Sequence, residues 1–241
     1  MTEKLLNKPR AVIFDVGNTL ALPDWPRIMS VSERVAALRV DEAGLQRRMC
    51  EVMVEVDRTT DFRGGGYESL RPGWEFRRLF RGLGLDESEV EDAASALAVE
   101  HEKKHLWCVP NPDAAPVLGE LKGEGMRLAA ISNSPDGSVE KMVRAIGVGG
   151  HLEFALDSHR VGYSKPDPRI FAEAVGRLGV EAREAVYVGD SYSQDVAGAR
   201  GAGLSAVLYD PLNLQPDPEV VRIRSLRELT NTWGERTGRG R

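Results

Sequence analysis

The chain has 241 residues, of which 41% are hydrophobic and 29% charged, and its formal net charge at pH 7 is −5. These proportions are typical of a soluble protein with one large domain or a core carrying one insertion. The negative charge and the lack of an apolar run of about 18 residues argue against nucleic acid or a membrane as the main partner. With no signal peptide and two isolated cysteines, Cys50 and Cys108, a cytoplasmic protein is expected.

The first predicted element is a short apolar run, Ala11 to Phe14, which ends at Asp15 and is followed by Gly17. Its β-branched and aromatic residues are typical of a buried strand. The pattern predicts a strand that delivers an acidic side chain into a loop.

The next part of the chain, from Asp24 to about Trp107, has the spacing of helices only. Asp41 is predicted to be an N-cap, and Asp86 with Glu89 resembles a capping box. We therefore predict a helical insertion over residues 24–107 and a core formed by residues 1–23 and 108–241. The side chains of the insertion most suited to contacting a substrate are Arg63, Tyr67, Arg71 and Trp74.

Three later runs repeat the pattern of an apolar strand that ends in polar residues. They are Arg127–Ile131 before Ser132, Ala185–Val188 before Gly189-Asp190, and Ser205–Tyr209 before Asp210. Helical stretches such as Ile170–Leu178 lie between them. This alternation predicts an α/β fold with a parallel sheet covered by helices on both faces. Ligands of such sheets bind beyond the carboxyl ends of the strands, where these polar residues lie.

Four segments resemble, in order, the motifs of the haloacid dehalogenase-like hydrolase superfamily. Asp15–Thr19 resembles the first motif, DxDxT, and Ile131-Ser132-Asn133 resembles the second. Lys165 before Pro166 is similar to the third, and Gly189–Asp195 resembles the fourth, GDxxxxD. Four motifs in order are far more specific than one. The resemblance implies a Rossmann-like doubly wound parallel sheet with a helical cap domain inserted after the first strand.

The resemblance implies that Asp15 is the nucleophile and that the enzyme uses Mg²⁺. A carboxylate can form a covalent intermediate with an electrophilic phosphorus or carbon atom. Mg²⁺ prefers hard oxygen ligands, often one or two carboxylates with waters and substrate phosphate. The expected metal residues are Asp15, Asp190 and the backbone carbonyl of Gly17, with Asp195 orienting the water shell of the metal.

The resemblance also implies which residues meet the substrate. Lys165 supplies positive charge to a phosphoryl group, and Ser132 supplies a hydroxyl donor. Both are expected to be catalytic and to bind the substrate. Asn133 and Thr19 are expected on the substrate side as well, with Thr19 bracing the Asp15 loop.

Two of these assignments have structural alternatives that the sequence leaves open. Asp195 is suited to capping a helix over Val196–Ala199. Ser132 and Asn133 are common turn residues. For Asp15 and Asp190 the structural alternative is a helix cap, and for Lys165 it is a solvated loop lysine. These alternatives are set aside, because they would all have to coincide at the same ends of one sheet.

The first motif departs from the family pattern at Gly17. Phosphatases of the family carry a second Asp there, which acts as general acid and base, a contribution of about 10²–10⁴-fold. Dehalogenases of the family carry Tyr there and lack the acids of the fourth motif, whereas Asp190 and Asp195 are present. Phosphonatases of the family use a lysine of the cap to form a Schiff base. The insertion has no lysine before Lys103, so a phosphonatase is disfavoured.

The sequence therefore predicts a Mg²⁺-dependent hydrolase that forms an aspartyl-enzyme intermediate, with a small phosphorylated metabolite as the expected substrate. A leaving group that needs no proton, as in an acyl or aryl phosphate, would suit Gly17. One alternative is a metal-independent hydrolase of the haloacid dehalogenase type. Another is a weakly active or non-catalytic protein that binds a phosphorylated ligand or a protein partner.

Overall fold

The computed structural model describes residues 8–59, 73–215 and 219–233. The chain divides into two compact units. One comprises Met1–Leu22 and Pro110–Arg241, and the other comprises Pro23–Val109.

The first unit contains a six-stranded parallel sheet with the strand order β5-β4-β1-β6-β7-β8. The strands are β1 (Ala11–Asp15), β4 (Arg127–Ser132), β5 (Phe154–Asp157), β6 (Ala185–Gly189), β7 (Ser205–Tyr209) and β8 (Val221–Ile223). Two more strands, β2 (Ala21–Pro23) and β3 (Trp107–Pro110), form a separate two-stranded sheet. The predicted parallel α/β fold is confirmed. The two edge strands, β5 and β8, and the short strands β2 and β3 were not predicted from the sequence.

The centre of the sheet is buried on both faces, which explains why its strands are apolar throughout. All five residues of β1 are buried. Ala11 and Ile13 belong to a core cluster with Phe171, whereas Val12 and Phe14 alternate with them and face the other side. Helices after the first unit's strands are α5 (Ala114–Gly123), α6 (Val139–Ala145), α7 (Ser158–Val161), α8 (Pro168–Leu178) and α9 (Gly198–Gly201).

Helix α8 shows how the sequence defines one of these covering elements. Asp167 caps its N-terminus by accepting from the backbone N–H of Arg169, and Pro168 occupies the first turn, where no donor is needed. Gly179 ends the helix in the left-handed conformation. The buried face carries Ile170, Phe171, Ala174, Val175 and Leu178, as the helical spacing predicted.

The second unit contains four described helices. They are α1 (Trp25–Ala36), α2 (Glu42–Thr59), α3 (Trp74–Gly82) and α4 (Glu87–Lys103). The predicted capping box at α4 is confirmed, because Asp86 accepts from the N–H of Glu89 and the Glu89 carboxylate accepts from the N–H of Asp86. Asp41 accepts from the N–H of Gly44 at the start of α2, as predicted.

The apolar faces of these helices meet in a core of their own. Its buried members include Trp25, Ile28, Leu45, Phe76, Leu79, Phe80, Val90 and Leu97. Arg63, Tyr67 and Arg71 lie outside the described residues, and Trp74 begins α3. Among the helices that the structure describes, none has the length and apolarity to cross a membrane.

Candidate active site

The strand order brings three motif segments together at the carboxyl ends of the central strands. Asp15 ends β1, Ser132 ends β4 and Asp190 follows β6, and β1 pairs with both of the other strands. Because parallel strands end at the same edge, these side chains converge. Lys165 joins them from the loop between α7 and α8.

The Lys165 ammonium is at the centre of this site. Its Nζ donates to Asp15 Oδ1 at 2.6 Å, to Asp195 Oδ1 at 2.6 Å and to the Tyr187 hydroxyl at 3.1 Å. The side chain is only 3% exposed. A buried ammonium requires both charge pairing and hydrogen bonds, and Lys165 has both.

The charges at this edge of the sheet are unbalanced. Burial raises the pKa of Asp15 to about 6, despite the opposing effect of Lys165. Burial, together with the charges of Asp15 and Asp195, holds the pKa of Asp190 well above its usual range. Burial by itself would lower the pKa of Lys165, but Asp15 and Asp195 outweigh it and raise that pKa well above normal. One ammonium thus faces three carboxylates.

These three carboxylates have the chemistry of a divalent cation site. Asp15, Asp190 and Asp195 each offer one oxygen, and the three oxygens lie within 4.8 Å of one another. Hard oxygen donors with excess negative charge suit a small divalent cation. The Asp190 carboxylate also accepts from the Asn18 side-chain amide at 3.2 Å, so its orientation is set from the first motif. The donor set therefore fits a metal ion.

Asp195 faces the site from a helical turn with i→i+5 geometry, Tyr192–Ala197. Such π-helical turns are rare in proteins, and those that occur are frequently found at functional sites. The N-cap of this turn is Ser191, whose hydroxyl accepts from the N–H of Gln194. The Asp195 carboxylate accepts from Lys165 and from the N–H of Ser191. The helix-cap alternative for Asp195 is therefore wrong, because its carboxylate contacts Lys165 and a different residue caps the turn.

Gly189 is required by the position of Asp195. A Cβ atom on residue 189 would lie 2.3 Å from Asp195 Oδ2. No larger side chain fits at position 189 while the Asp195 carboxylate stays in place.

The Asn133 side chain is committed to other protein groups. Its Oδ1 accepts from the N–H of Lys165 at 2.9 Å, and its Nδ2 donates to the Lys165 carbonyl at 3.0 Å and to Gln194 Oε1 at 2.8 Å. Both amide hydrogens are used. The structure thus favours an Asn133 that fixes the Lys165 backbone over the substrate contact expected from sequence.

The two hydroxyl residues differ in their surroundings. Ser132 is buried at the end of β4, and its hydroxyl has no hydrogen-bond partner among the described residues. Thr19 is fully buried and its hydroxyl likewise lacks a partner in that part of the chain, while its carbonyl accepts from Asn111 at 2.8 Å. Ser132 remains suited to a ligand. The burial of Thr19 favours an internal role over substrate contact.

The loop after Asp15 turns sharply through Gly17 and Asn18. Asn18 has a φ of 58°, in the left-handed region that Asn and Gly tolerate best. Its backbone N–H donates to the Ala21 carbonyl, and the N–H groups of Leu20 and Ala21 both donate to the Val16 carbonyl. Gly17 is partly buried and lies two residues after Asp15, the last residue of β1. It has no side chain that could supply a proton.

Tyr187 also contributes to the site, although the sequence did not predict it. It lies in the middle of β6, fully buried, and its hydroxyl contacts Lys165. The available signal was a tyrosine within an otherwise aliphatic buried run, since a buried phenol needs a hydrogen-bond partner.

Comparisons with known proteins agree with this geometry. The family model described as haloacid dehalogenase-like hydrolase matches residues 9–203. A glyceraldehyde 3-phosphate phosphatase from Methanopyrus kandleri is 34% identical over 91% of this chain and 96% of its own. A phosphoserine phosphatase from Thermus thermophilus is 37% identical over 64% of this chain and 61% of its own. The HAD-hydrolase YfnB from Bacillus subtilis, solved bound to magnesium, shares the fold with a TM-score of 0.66 at 18% identity, over 93% and 98% of the two chains. The chain therefore belongs to the haloacid dehalogenase-like hydrolases.

Proposed function

We propose that this protein is a Mg²⁺-dependent phosphatase that hydrolyses a small phosphorylated metabolite through a covalent intermediate on Asp15. One observation carries the proposal: a buried ammonium bridges Asp15 and Asp195, with Asp190 close enough to share a cation with them. The other features of the site are consistent with this chemistry.

The excess of carboxylates favours a phosphatase over a metal-independent dehalogenase. Displacing a halide with one carboxylate requires no divalent cation, and a second and third acid beside it would only add unfavourable charge. A dianionic phosphate, in contrast, needs compensating positive charge before a carboxylate can approach it. Burial and the neighbouring carboxylates raise the pKa values of Asp15 and Asp190. A bound cation would offset the unfavourable negative charge that these raised pKa values reflect.

Each residue of the site has a role in this proposal. Asp15 attacks phosphorus, the bond to the leaving oxygen breaks, and water later hydrolyses the acyl phosphate on Asp15. Lys165 places its positive charge beside the phosphoryl group, and the Ser132 hydroxyl donates to a phosphoryl oxygen as charge redistributes. Asp15, Asp190 and the Gly17 carbonyl would hold Mg²⁺, with Asp195 beside them. When bound, the ion supplies positive charge to the phosphoryl group.

The relatives provide the substrate class. Glyceraldehyde 3-phosphate and phosphoserine, the compounds in their names, are both three-carbon phosphomonoesters. We therefore place a small alkyl phosphomonoester first among candidate substrates. The glycine at position 17 favours acyl or aryl phosphates instead, because their leaving groups need little or no protonation. Both classes belong in the same screen.

The helical unit, residues 24–107, is proposed to be the cap that selects among these substrates. It comes after the first strand in the chain, as caps of this type do in the resemblance, with only the short strand β2 between them. Trp74, at the start of α3, is partly exposed and lies 6.0 Å from the Arg78 guanidinium. Removing the Trp74 ring should change the order of preferred substrates more than the rate with a minimal aryl phosphate.

A substrate screen with and without metal tests the proposal. Purified protein would be incubated with a panel of phosphomonoesters, acyl phosphates and aryl phosphates in Mg²⁺, and released phosphate measured. Phosphate release that requires Mg²⁺ and stops with chelator is expected. Acid quenching with ³²P-labelled substrate should leave label on wild type and none on Asp15→Asn.

Two results would contradict the proposal. Halide release from a 2-haloacid in excess chelator would establish the dehalogenase alternative. Saturable binding of phosphorylated ligands with no turnover at any metal concentration would establish a binding protein.

A further inference from the structure

The Lys165 ammonium has three hydrogens, and three oxygen atoms receive them. Two belong to the Asp15 and Asp195 carboxylates, each at 2.6 Å, and the third is the Tyr187 hydroxyl at 3.1 Å. Only the third is neutral. It is also the only one of the three that lies outside the four motifs.

The two carboxylates by themselves leave one N–H of the ammonium without an acceptor. Once two N–H bonds point at Asp15 and Asp195, the tetrahedral geometry at Nζ fixes the direction of the third, and a buried N–H without an acceptor disfavours that orientation. The Tyr187 hydroxyl accepts from this third N–H, so the orientation that serves both carboxylates leaves no N–H unpaired. Groups that stabilise a transition state are effective only when their orientation is set beforehand.

The Tyr187 hydroxyl is itself held in a fixed orientation. It donates to the Ile131 carbonyl at 3.4 Å, which turns its lone pairs toward Lys165. Its ring packs edge-on against Phe171, with ring centroids 5.1 Å apart at an interplanar angle of 74°. The residue is fully buried in the middle strand β6. The hydroxyl thus extends from a rigid part of the sheet.

We propose that Tyr187 is a positioning residue of this hydrolase, whose hydroxyl orients the Lys165 ammonium between Asp15 and Asp195. The inference rests on the proposed function in so far as Lys165 serves phosphoryl transfer. Tyr187 does not touch the substrate. Its effect on the reaction passes through Lys165.

Substituting Tyr187→Phe tests this, because phenylalanine keeps the ring packing and removes only the hydroxyl. With 4-nitrophenyl phosphate and saturating Mg²⁺, kcat should fall about fivefold to tenfold, the equivalent of one hydrogen bond, and KM should stay within about twofold. The matched control is Tyr209→Phe, a buried tyrosine of β7 whose hydroxyl accepts from Asn111. This control should keep the wild-type kcat.

A double-mutant cycle separates positioning from packing. In a Lys165→Gln background, Tyr187→Phe should cause no further loss of residual activity, because the group through which it acts is gone. An equal loss in both backgrounds, or an unchanged kcat in the single variant, would overturn the proposal. Lys165→Met serves as the second background if the glutamine variant does not fold, because methionine offers no donor to the Tyr187 hydroxyl.

A measurement that needs no turnover keeps this inference separate from the proposed function. The urea midpoint of unfolding should drop on Tyr187→Phe in the wild-type background and drop less in the Lys165→Gln background. Equal drops would show that the hydroxyl does not act on Lys165. If wild type hydrolyses no phosphate ester, the proposed function fails, while this cycle still decides whether Tyr187 holds Lys165.

Discussion

The acids at the ends of the sheet strands fall into two groups with opposite environments. Asp157 and Asp210, at β5 and after β7, each accept backbone N–H groups on both carboxylate oxygens, at 3.0–3.1 Å. Asp15, at the end of β1, instead accepts from the Lys165 ammonium, and Asp190, after β6, accepts from the Asn18 side-chain amide. The negative charge of Asp15 also acts on Asp190. All four follow an apolar run, so the local pattern is the same for both groups.

The difference lies in what satisfies the negative charge. Backbone N–H groups around Asp157 and Asp210 fix turns, and the Arg222 guanidinium lies 3.6 Å from the Asp210 carboxylate, so those carboxylates have no need of an external ligand. Around Asp15 and Asp190 burial exceeds the available compensation, and the pKa of each carboxyl is raised. A strand-terminal acid is therefore a functional candidate when its charge is left partly uncompensated.

The largest expected effect comes from changing Asp15, the proposed nucleophile. Asp15→Asn should lower turnover at least about 10³-fold, because an amide is nearly isosteric but a poor nucleophile. Initial rates with the best substrate, together with circular dichroism to confirm folding, measure this. A variant that retains a tenth of the wild-type rate would exclude covalent catalysis through Asp15.

Adding a carboxyl group at position 17 tests whether the missing proton donor limits the rate. Gly17→Asp should raise the rate with alkyl phosphates about 10²-fold, since a carboxyl beside the leaving oxygen can donate a proton. Aryl phosphates should gain little. The measurement is a leaving-group series for wild type and variant.

Gly17→Asn is the matched control for that substitution, because it has nearly the same shape and no acidic proton. It should leave the alkyl rate unchanged or lower it. Equal gains from Asp and Asn, or a wild type insensitive to the leaving-group pKa, would show that protonation does not limit the reaction.

A smaller effect is expected on metal affinity. Asp190→Asn should raise the Mg²⁺ concentration needed for half-maximal activity by at least about tenfold, because one of the expected carboxylate ligands is lost. Titration calorimetry with Mg²⁺ gives the same quantity without turnover. Asp157→Asn, the equivalent change at β5, should leave Mg²⁺ binding unchanged, and a similar shift in both variants would remove the distinction between the two groups.

The smallest kinetic effect is expected at Asp210. Asp210→Asn should leave kcat within about twofold of wild type, yet lower the free energy of unfolding by about 1–3 kcal/mol, because two N–H groups lose a charged acceptor. Urea denaturation measures the stability. A loss of activity larger than the loss of stability would place Asp210 in the reaction.

Much of this fold follows from short-range pattern. Apolar runs ending in polar residues marked the four inner strands, and helical spacing with Asp86 and Glu89 marked the start of α4. The edge strands β5 and β8 were not predicted because they have only four and three residues. Strands that short contain too few residues for a periodicity to stand out.

The parts of the site that could not be predicted are contacts between distant residues. Asn133 meets Lys165 across 32 positions, and Tyr187 meets it across 22. No local pattern records such a pairing. A motif position showed that Asn133 mattered, but only the folded geometry showed that its amide is used up by the protein.

The close contact between position 189 and Asp195 makes these two sites mutationally linked. With Asp195 in place, every side chain beyond hydrogen at 189 collides with its carboxylate. A library randomised at 189 alone should return only glycine among active clones, and the loss would be misread as a need for backbone freedom in the loop. Its actual origin is the displacement of an acid that holds Lys165. Alanine at 189 becomes tolerable for folding only together with a smaller residue at 195, a pair that single-site scanning never samples.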